Sequence, residues 1–446
     1  MANPTKGEGG LSRPIRHPIQ WKTEDYYKED LIFNELERVF DICHGCRRCF
    51  NLCQSFPILF DAIDEGDTGE LDAVDKQDYW KVVNNCYLCD MCFMTKCPYV
   101  PPHEWNIDFP ALMLRAKAYK FKNMSVPFRD KMISNTNMMG KMNSLPLIAP
   151  VVNAMNRFKP FRWLMDKTMG IAPDAPLPVF DSKPLRKRMT RLDHSHITPQ
   201  ATDQTKGKVV LFSTCYVNHN YPQLGEDLIA VYEHNEIPVR FLDKEECCGM
   251  PKYEMGDIES VAKAMEQNAP HLIKCIDEGW DIVAPMPSCV FMLKEVWPLL
   301  FPDDKRVQQI SERTFDPFEY LMLRHKGNKL KTDFKKSLGE ITYHVACHLR
   351  AQNIGMKTRE FLSLIDGTKI DPIERCSGHD GTYALKSEYR PHSIKICKPV
   401  IDKVQQQKAD YYASDCHMAG SQIGSGLDDG SQATHPMTLA RTAYGI

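Results

Sequence analysis

The sequence predicts a multidomain α+β chain, with an N-terminal α-helical module followed by two copies of an α/β lobe. Three observations carry this reading. Eight of the 17 cysteines crowd into two tight runs before residue 103. Apolar side chains at helical spacing (LIFNELERVF, 31–40) lead into the first run. The second half of the chain then repeats a pattern of strands and cysteines at an offset of 132, 129 and 127 residues between matching cysteines.

Taken in order, residues 1–30 read as a flexible polar arm, with Pro4, Gly7, Gly9, Gly10, Pro14 and Pro18 and without the apolar core of a secretory signal. Residues 31–103 form the helical module, and residues 104–205 a basic, methionine-rich connection without cysteine. Residues 206–330 and 331–446 are the two lobes. In the first, KVVLFST (208–214) runs into Cys215, and DIVAPMPSC (281–289) reaches Cys289. In the second, EITYHVA (340–346) runs into Cys347, and ADYYASDC (409–416) reaches Cys416. Cys247-Cys248-Gly249 corresponds to Cys376-Ser377-Gly378, and helix-like stretches such as 223–234 and 257–276 lie between the strands.

At 446 residues the chain is long enough for roughly two to four domains. A net charge of −2 gives no overall attraction to nucleic acid, and no recognition module accompanies the local charge. No run of about 18 apolar residues is present, so no membrane-spanning helix is expected. A cytoplasmic protein is expected, with peripheral attachment to the inner face of the cell membrane as a further option. In such a reducing compartment clustered thiols mean metal rather than disulfides.

The first run is Cys43-x2-Cys46-x2-Cys49-x3-Cys53, and the second is Cys86-x2-Cys89-x2-Cys92-x4-Cys97. Three thiolates two residues apart wrap three corners of a cubane, and the fourth cysteine reaches the neighbouring cluster. The expected ligand sets of two 4Fe–4S clusters are therefore Cys43, Cys46, Cys49 and Cys97, and Cys86, Cys89, Cys92 and Cys53. A zinc pair would use two CxxC knuckles, not triple runs. Gln54 stands where a proline usually follows the fourth cysteine, and the second run has one residue more than usual before Cys97. Clusters and helical lead-in together make the module ferredoxin-like.

The segments CYVNHNYPQLGEDLIAVY (215–232), CCGMP (247–251), PSCVFMLKEVWP (287–298), YHVACHLRAQNIG (343–355) and GTYALK (381–386) resemble the CCG-domain proteins. That family includes the iron–sulfur subunit of anaerobic glycerol-3-phosphate dehydrogenase, which these segments also resemble. It also includes iron–sulfur subunits of glycolate oxidase and lactate-utilisation enzymes, and heterodisulfide reductase subunits. The resemblance implies a further Fe–S cluster or metal ion in the CCG region, held in the first lobe by Cys215, Cys247, Cys248 and Cys289. In the second lobe Cys347, Cys376 and Cys416 remain, with His348, His379 and His417 near them as further ligands to iron or zinc, or with the site degenerate and empty. Met292, Ser377 and Ala419 stand where the heterodisulfide reductase pattern has cysteine. Cys275 and Cys397 lie in helix-like stretches without a partner at ligand spacing and read as small buried hydrophobes.

Between Ala111 and Arg191 there are sixteen Lys or Arg against four Asp, together with ten methionines. Such a stretch suits an anionic membrane surface, a partner subunit, or plain packing onto the flanking modules with its charges solvated. No GxGxxG follows a strand, and GSGLDDG (424–430) sits in a turn-like tail, so a flavin would come with a separate subunit. The leading expectation is an electron-transfer subunit. It would relay single electrons between a flavoprotein dehydrogenase, with glycerol 3-phosphate the substrate the resemblance favours, and membrane quinone or another acceptor. The rivals are a catalytic subunit acting on a disulfide or other sulfur compound, and a redox-sensing or assembly module.

Overall fold

Each lobe is built on a short parallel sheet whose central strand is buried along most of its length. Val209–Leu211 (β1), Val239–Phe241 (β2), Asp281–Val283 (β3) and Thr314–Phe315 (β4) make the first, in the order β2-β1-β3-β4. Glu340–His344 (β5), Lys369–Ile373 (β6) and Tyr411–Ser414 (β7) make the second, in the order β6-β5-β7. All pairings are parallel. Runs such as Val209-Val210-Leu211 have no polar face to offer water, as expected of parallel strands covered by helices. In each lobe the first strand is central, with the second on one side and the third on the other. Val209 is in register with Val239 and Asp281, and Ile341 with Ile370 and Tyr411. The repeat expected from the cysteine offsets is thus a repeat of strand order.

These features are those of a computed structural model, which describes residues 14–190 and 192–446. Before β1 the described residues form helices and turns with no strand. The helix Glu29–Cys46 carries Glu29 and Asp30 in its first turn, where acidic groups favour the helix dipole. It buries Ile32, Leu36, Val39 and Phe40 on one face and ends at Arg47 in the left-handed conformation (φ 54°). It packs against Ser55–Asp64 and Phe109–Asn123, so this helical layer continues to Asn123, past the expected change at residue 104.

The arm expected over residues 1–30 departs from that expectation in its described part, while residues 1–13 lie outside the described residues. Arg16 donates to Asp108 at 2.7 and 3.0 Å and pairs with Asp90. Ile19 N–H donates to Leu299 O, and Trp21 Nε1 to Leu300 O, both at 2.8 Å. Residues 14–28 therefore strap the helical layer to the first lobe. Polar composition concealed this because only Ile19 and Tyr26 are buried, while the other anchors are backbone bonds, one guanidinium and the Trp21 indole N–H.

The C-terminal helix Pro436–Tyr444 crosses back to the first lobe and packs on Pro222–His234. Buried Asp227 accepts from Thr438 Oγ1 at 2.5 Å and from Arg441 at 2.8 Å. Tyr444 stacks on Phe334 with centroids 4.6 Å apart. The two lobes are thus clasped through the end of the chain. Removing one partner of such a buried pair leaves an uncompensated group, and Asp227→Ala is expected to cost about 3 kcal/mol. A fall in the midpoint of denaturant unfolding, read by circular dichroism, checks this; an unchanged midpoint would show that the clasp contributes nothing.

Candidate functional site

In both lobes the cysteines sit where parallel strands end, the edge at which open α/β sheets place their sites. Cys215 opens the helix Cys215–His219 after β1, and Thr214 caps that helix by accepting from Val217 N–H at 3.2 Å. Cys247 and Cys248 follow β2, and Cys289 lies in Pro287–Phe291 after β3. Cys347 opens Cys347–Ala351 after β5, Cys376 follows β6, and Cys416 precedes His417–Gly424 after β7.

The glycine of each repeat has a definable task. Gly249 (φ 98°) and Gly378 (φ 67°) turn the backbone so that their N–H groups point back at the sulfur two residues earlier, 3.5 Å from Cys247 Sγ and 3.3 Å from Cys376 Sγ. At Gly378 space is also exhausted: a Cβ there would lie 2.2 Å from Ser393 O. At Gly249 only the backbone angle is demanding, since the nearest atom is 3.4 Å away. Asn268 holds the first of these loops, accepting from Glu246 N–H at 2.9 Å and donating to Glu246 O at 3.3 Å.

Both edges face one cavity of about 290 Å³, lined by seven of the nine cysteines of the lobes. Cys215 and Cys247 sulfurs are 4.0 Å apart, and Cys248 and Cys289 sulfurs 3.2 Å. Hydrogen bonds from the Cys215 and Cys248 thiols and from Gly249 N–H hold Cys247 low, so one thiolate is favoured in this group. Cys347 is lowered likewise by a hydrogen bond from Cys376, and burial pushes Cys416 up to about 11. Thr136, from the connecting region, stands 3.3 Å from Cys215 Sγ and 3.7 Å from Cys247 Sγ.

Of the three histidines considered as ligands, His348 and His379 line this cavity. His379 has neither ring nitrogen hydrogen-bonded, and His348 uses only Nδ1, 2.9 Å from Ser288 Oγ. His417 points elsewhere. Its Nδ1 lies 2.8 Å from the Tyr216 hydroxyl and its ring packs on Tyr221 at 4.0 Å, outside the cavity lining. A residue next to Cys416 turns away because it begins a helix there. Among the described residues no three His, Cys, Asp or Glu side chains converge closely enough for a single metal ion. The sulfurs stand instead around a cavity wall, which suits a polynuclear group held by thiolates.

The N-terminal cysteines form two further groups. Cys43, Cys46, Cys49 and Cys97 line a small hole of about 30 Å³, closed by Ile42, Phe56, Phe60 and Ile107 among others. Burial, and then the neighbouring thiols, push Cys43 well up and Cys49 up to about 12. Burial likewise raises Cys86, Cys89 and Cys92, with Cys53 a neighbour that raises all three. Left-handed Leu88 (φ 52°) and Asp90 (φ 61°) curl the second loop, and Leu88 N–H points at Cys86 Sγ at 3.5 Å. Four half-buried thiols around a small aliphatic and aromatic hole fit a group that takes up deprotonated sulfur, as a 4Fe–4S cluster does.

The groups adjoin one another. Cys92 has Cys49 as a neighbour that raises it, and Cys89 and the Cys347–Cys376 pair raise one another. The Cys86–Cys92 loop is wedged between the lobes. Lys117 Nζ donates to Cys86 O at 2.6 Å and to Glu254 O at 3.2 Å, while Tyr383 OH donates to Asn85 Oδ1 at 2.6 Å. Sequence reasoning did not single out Thr136, Lys117, Glu254 or Asp380, since none lies at a recognisable spacing from a cysteine. Glu254 is buried and Asp380 half-buried beside the cavity, and desolvation raises both, Glu254 to about 7. Cys275 is buried beside Arg240 and Cys397 lies among Val400, Tyr412 and Ile423, both away from the cavity.

Comparison with known proteins matches the cysteine-rich CCG domain twice, at residues 209–294 and 341–424. The chain is 30% identical over 342 residues to a subunit of the anaerobic glycerol-3-phosphate dehydrogenase of Escherichia coli K12, covering 76% of this chain and 82% of that protein. It is 30% identical over 221 residues to lactate utilization protein A of Bacillus cytotoxicus, covering 47% of this chain and 87% of that protein.

Two outcomes follow from the geometry. Gly378→Ala combines left-handed strain with a backbone clash and is expected to cost about 3 kcal/mol, against about 1 kcal/mol for Gly249→Ala; equal losses in thermal unfolding would contradict the clash. Because Glu254 binds its proton more tightly folded than unfolded, its contribution to stability is complete below the unfolded value near 4.5 and declines as pH rises towards about 7. Glu254→Gln should flatten that part of the stability–pH curve, by on the order of 1 kcal/mol per pH unit. Denaturant unfolding between pH 5 and 8 reads the difference.

Proposed function

This chain belongs to the family of CCG-domain cysteine-rich proteins, and on that premise we propose that it is an iron–sulfur electron-transfer subunit. In this reading Cys43, Cys46, Cys49 and Cys97 hold one 4Fe–4S cluster, and Cys53, Cys86, Cys89 and Cys92 another, within a ferredoxin-like helical module spanning 31–103. Cys215, Cys247, Cys248 and Cys289 hold a further cluster, and Cys347, Cys376 and Cys416, with His348 and His379, are the reduced set of the degenerate second lobe. The clusters supply one-electron carriers. The chain's own part is to keep water from the thiolates and to direct Leu88, Gly249 and Gly378 N–H groups at sulfur, which tunes potential.

The observation that carries the reading is continuity. Cys92 adjoins the first quartet at Cys49, and Cys89 of the second quartet adjoins the lobe cavity at Cys347. Electrons would enter from a flavoprotein dehydrogenase partner and leave towards membrane quinone or another acceptor. The Escherichia coli relative is by name part of a dehydrogenase, which supports such a partner and makes glycerol 3-phosphate the first substrate to try.

One observation favours a second reading. The thiols of both lobes face the same cavity, a setting in which a disulfide or other sulfur substrate would meet them. Against it, Met292 is packed in the core at the position of a missing ligand, and Ser377 and Ala419 stand at two others.

Anaerobic purification with iron and acid-labile sulfide counting tests the proposal. About eight iron atoms are expected from the two quartets and about four more from the first lobe. Cys92→Ser should remove one reduced-cluster signal in electron paramagnetic resonance, whereas Cys275→Ser should remove none. Absence of acid-labile sulfide would overturn the reading, and a non-cubane signal with thiol release from a disulfide would turn it to the second.

A further inference from the structure

The segment from Met124 to Val179 has an unusual outer surface. Of the nineteen exposed large hydrophobic side chains among the described residues, thirteen lie in it. They are densest around the helices Ile148–Arg157 and Lys159–Met169, where Leu147 is 87% exposed, Val151 60%, Phe158 57% and Trp163 59%. Scattered exposed apolar residues need no explanation, but a contiguous group of this kind marks an interaction face.

Charge says what the face meets. Lys131, Arg157, Lys159 and Lys167 are exposed around it, and no glutamate occurs between Glu104 and Glu226. Lys131, Arg157 and Lys159 have no ion-pair partner among the described residues, and the contact of Lys167 with Asp166 is long, at 3.8 Å. Apolar tips ringed by unpaired cations match an interface of acyl chains below anionic headgroups. No helix among the described residues is long and apolar enough to cross a membrane, so the contact would be peripheral.

The inner side of the same helices matters equally. Val152 and Met165 line the lobe cavity, joined by Met132 and Met139 of the same segment and by Phe180 just beyond it. The lobe thiols line the same cavity, and Thr136 of this segment stands 3.3 Å from Cys215 Sγ. On the cavity wall Glu254 Oε2 is buried without a hydrogen-bond partner, a polar contact for an otherwise apolar guest.

We propose that residues 145–164 seat on an anionic bilayer and that their inner side opens the lobe cavity to the headgroup of a lipid-soluble quinone. This deepens the electron-transfer reading and rests on it. The segment is at once the seat on the membrane and one wall of the acceptor site, which brings the acceptor to the thiol-lined edges without a membrane-spanning partner.

The test uses the intact, cluster-loaded protein in two measurements. In flotation, it is expected to rise with vesicles of phosphatidylglycerol and phosphatidylcholine, about tenfold more than with phosphatidylcholine alone. The exposed double variant Leu147→Glu/Trp163→Glu, its fold checked by circular dichroism, should stay at the bottom. Failure to float, or flotation indifferent to the double variant, overturns the bilayer seat and points to a protein partner. In equilibrium dialysis of the oxidised protein, short-chain ubiquinone-1 should bind saturably, and Val152→Trp should weaken it about tenfold by filling the cavity. Non-saturable uptake, or uptake unchanged in Val152→Trp, overturns the acceptor site. Neither readout needs electron transfer, so failure here with clusters intact leaves the carrier reading standing, while loss of sulfide in the metal count sinks the carrier reading alone.

Discussion

Parallel strands deliver all their carboxyl ends to one edge, and in each lobe that edge is where the cysteines stand. Because the crossovers lay helices against the sheets, the central strands are covered and the carboxyl edge is where side chains gather. Cys215 and Cys347 follow the central strands, with the remaining thiols on loops from the flanking ones. Two such edges set face to face enclose a single cavity. The rest of the molecule keeps those edges opposed: the C-terminal clasp through Asp227, the N-terminal strap through Arg16 and Trp21, and the wedge of the Cys86–Cys92 loop.

The wedge ties the parts together mechanically. Lys117 reaches backbone carbonyls of both the cysteine loop and the first lobe, while Tyr87 and Tyr383 pack edge to face at 4.6 Å towards the second. Burial makes the Cys86, Cys89 and Cys92 thiols of the wedge costly to ionise alone. Only coordination, or a hydrogen bond such as that from Gly249 or Gly378, offsets the loss of water. The same burial raises Glu254 and Asp380, so carboxyl groups and thiols compete for little charge in one confined volume. Lys117 and Lys386 are the cations that face them.

The connecting region illustrates how several readings of one composition can hold together. Its packing onto the flanking parts is real: Thr136 reaches the first lobe's thiols, Ser144 Oγ lies 3.2 Å from His219 Nδ1, and Leu185 is fully buried. Yet its outer side chains are not absorbed by that packing. Short helices broken by Pro146 and Pro160 present two faces, and methionine serves both.

Much of the chemistry was legible in the chain. Ligand spacing is local, so the two triple runs announce their groups without knowledge of the fold, and the repeat announces itself because matching strands and cysteines recur at nearly constant offsets. The CCG glycines are likewise local, since their left-handed backbone is required by a sulfur two residues away. What only the tertiary structure decided is which groups meet. The opposition of the two sheet edges and the contact of Cys89 with the second lobe depend on packing between residues hundreds of positions apart. So does the arrival of Thr136 and Glu254 at the thiols, and the turning of His417 towards Tyr216. Such encounters leave no periodicity or spacing in the sequence, because buried surface area, not chain distance, selects them.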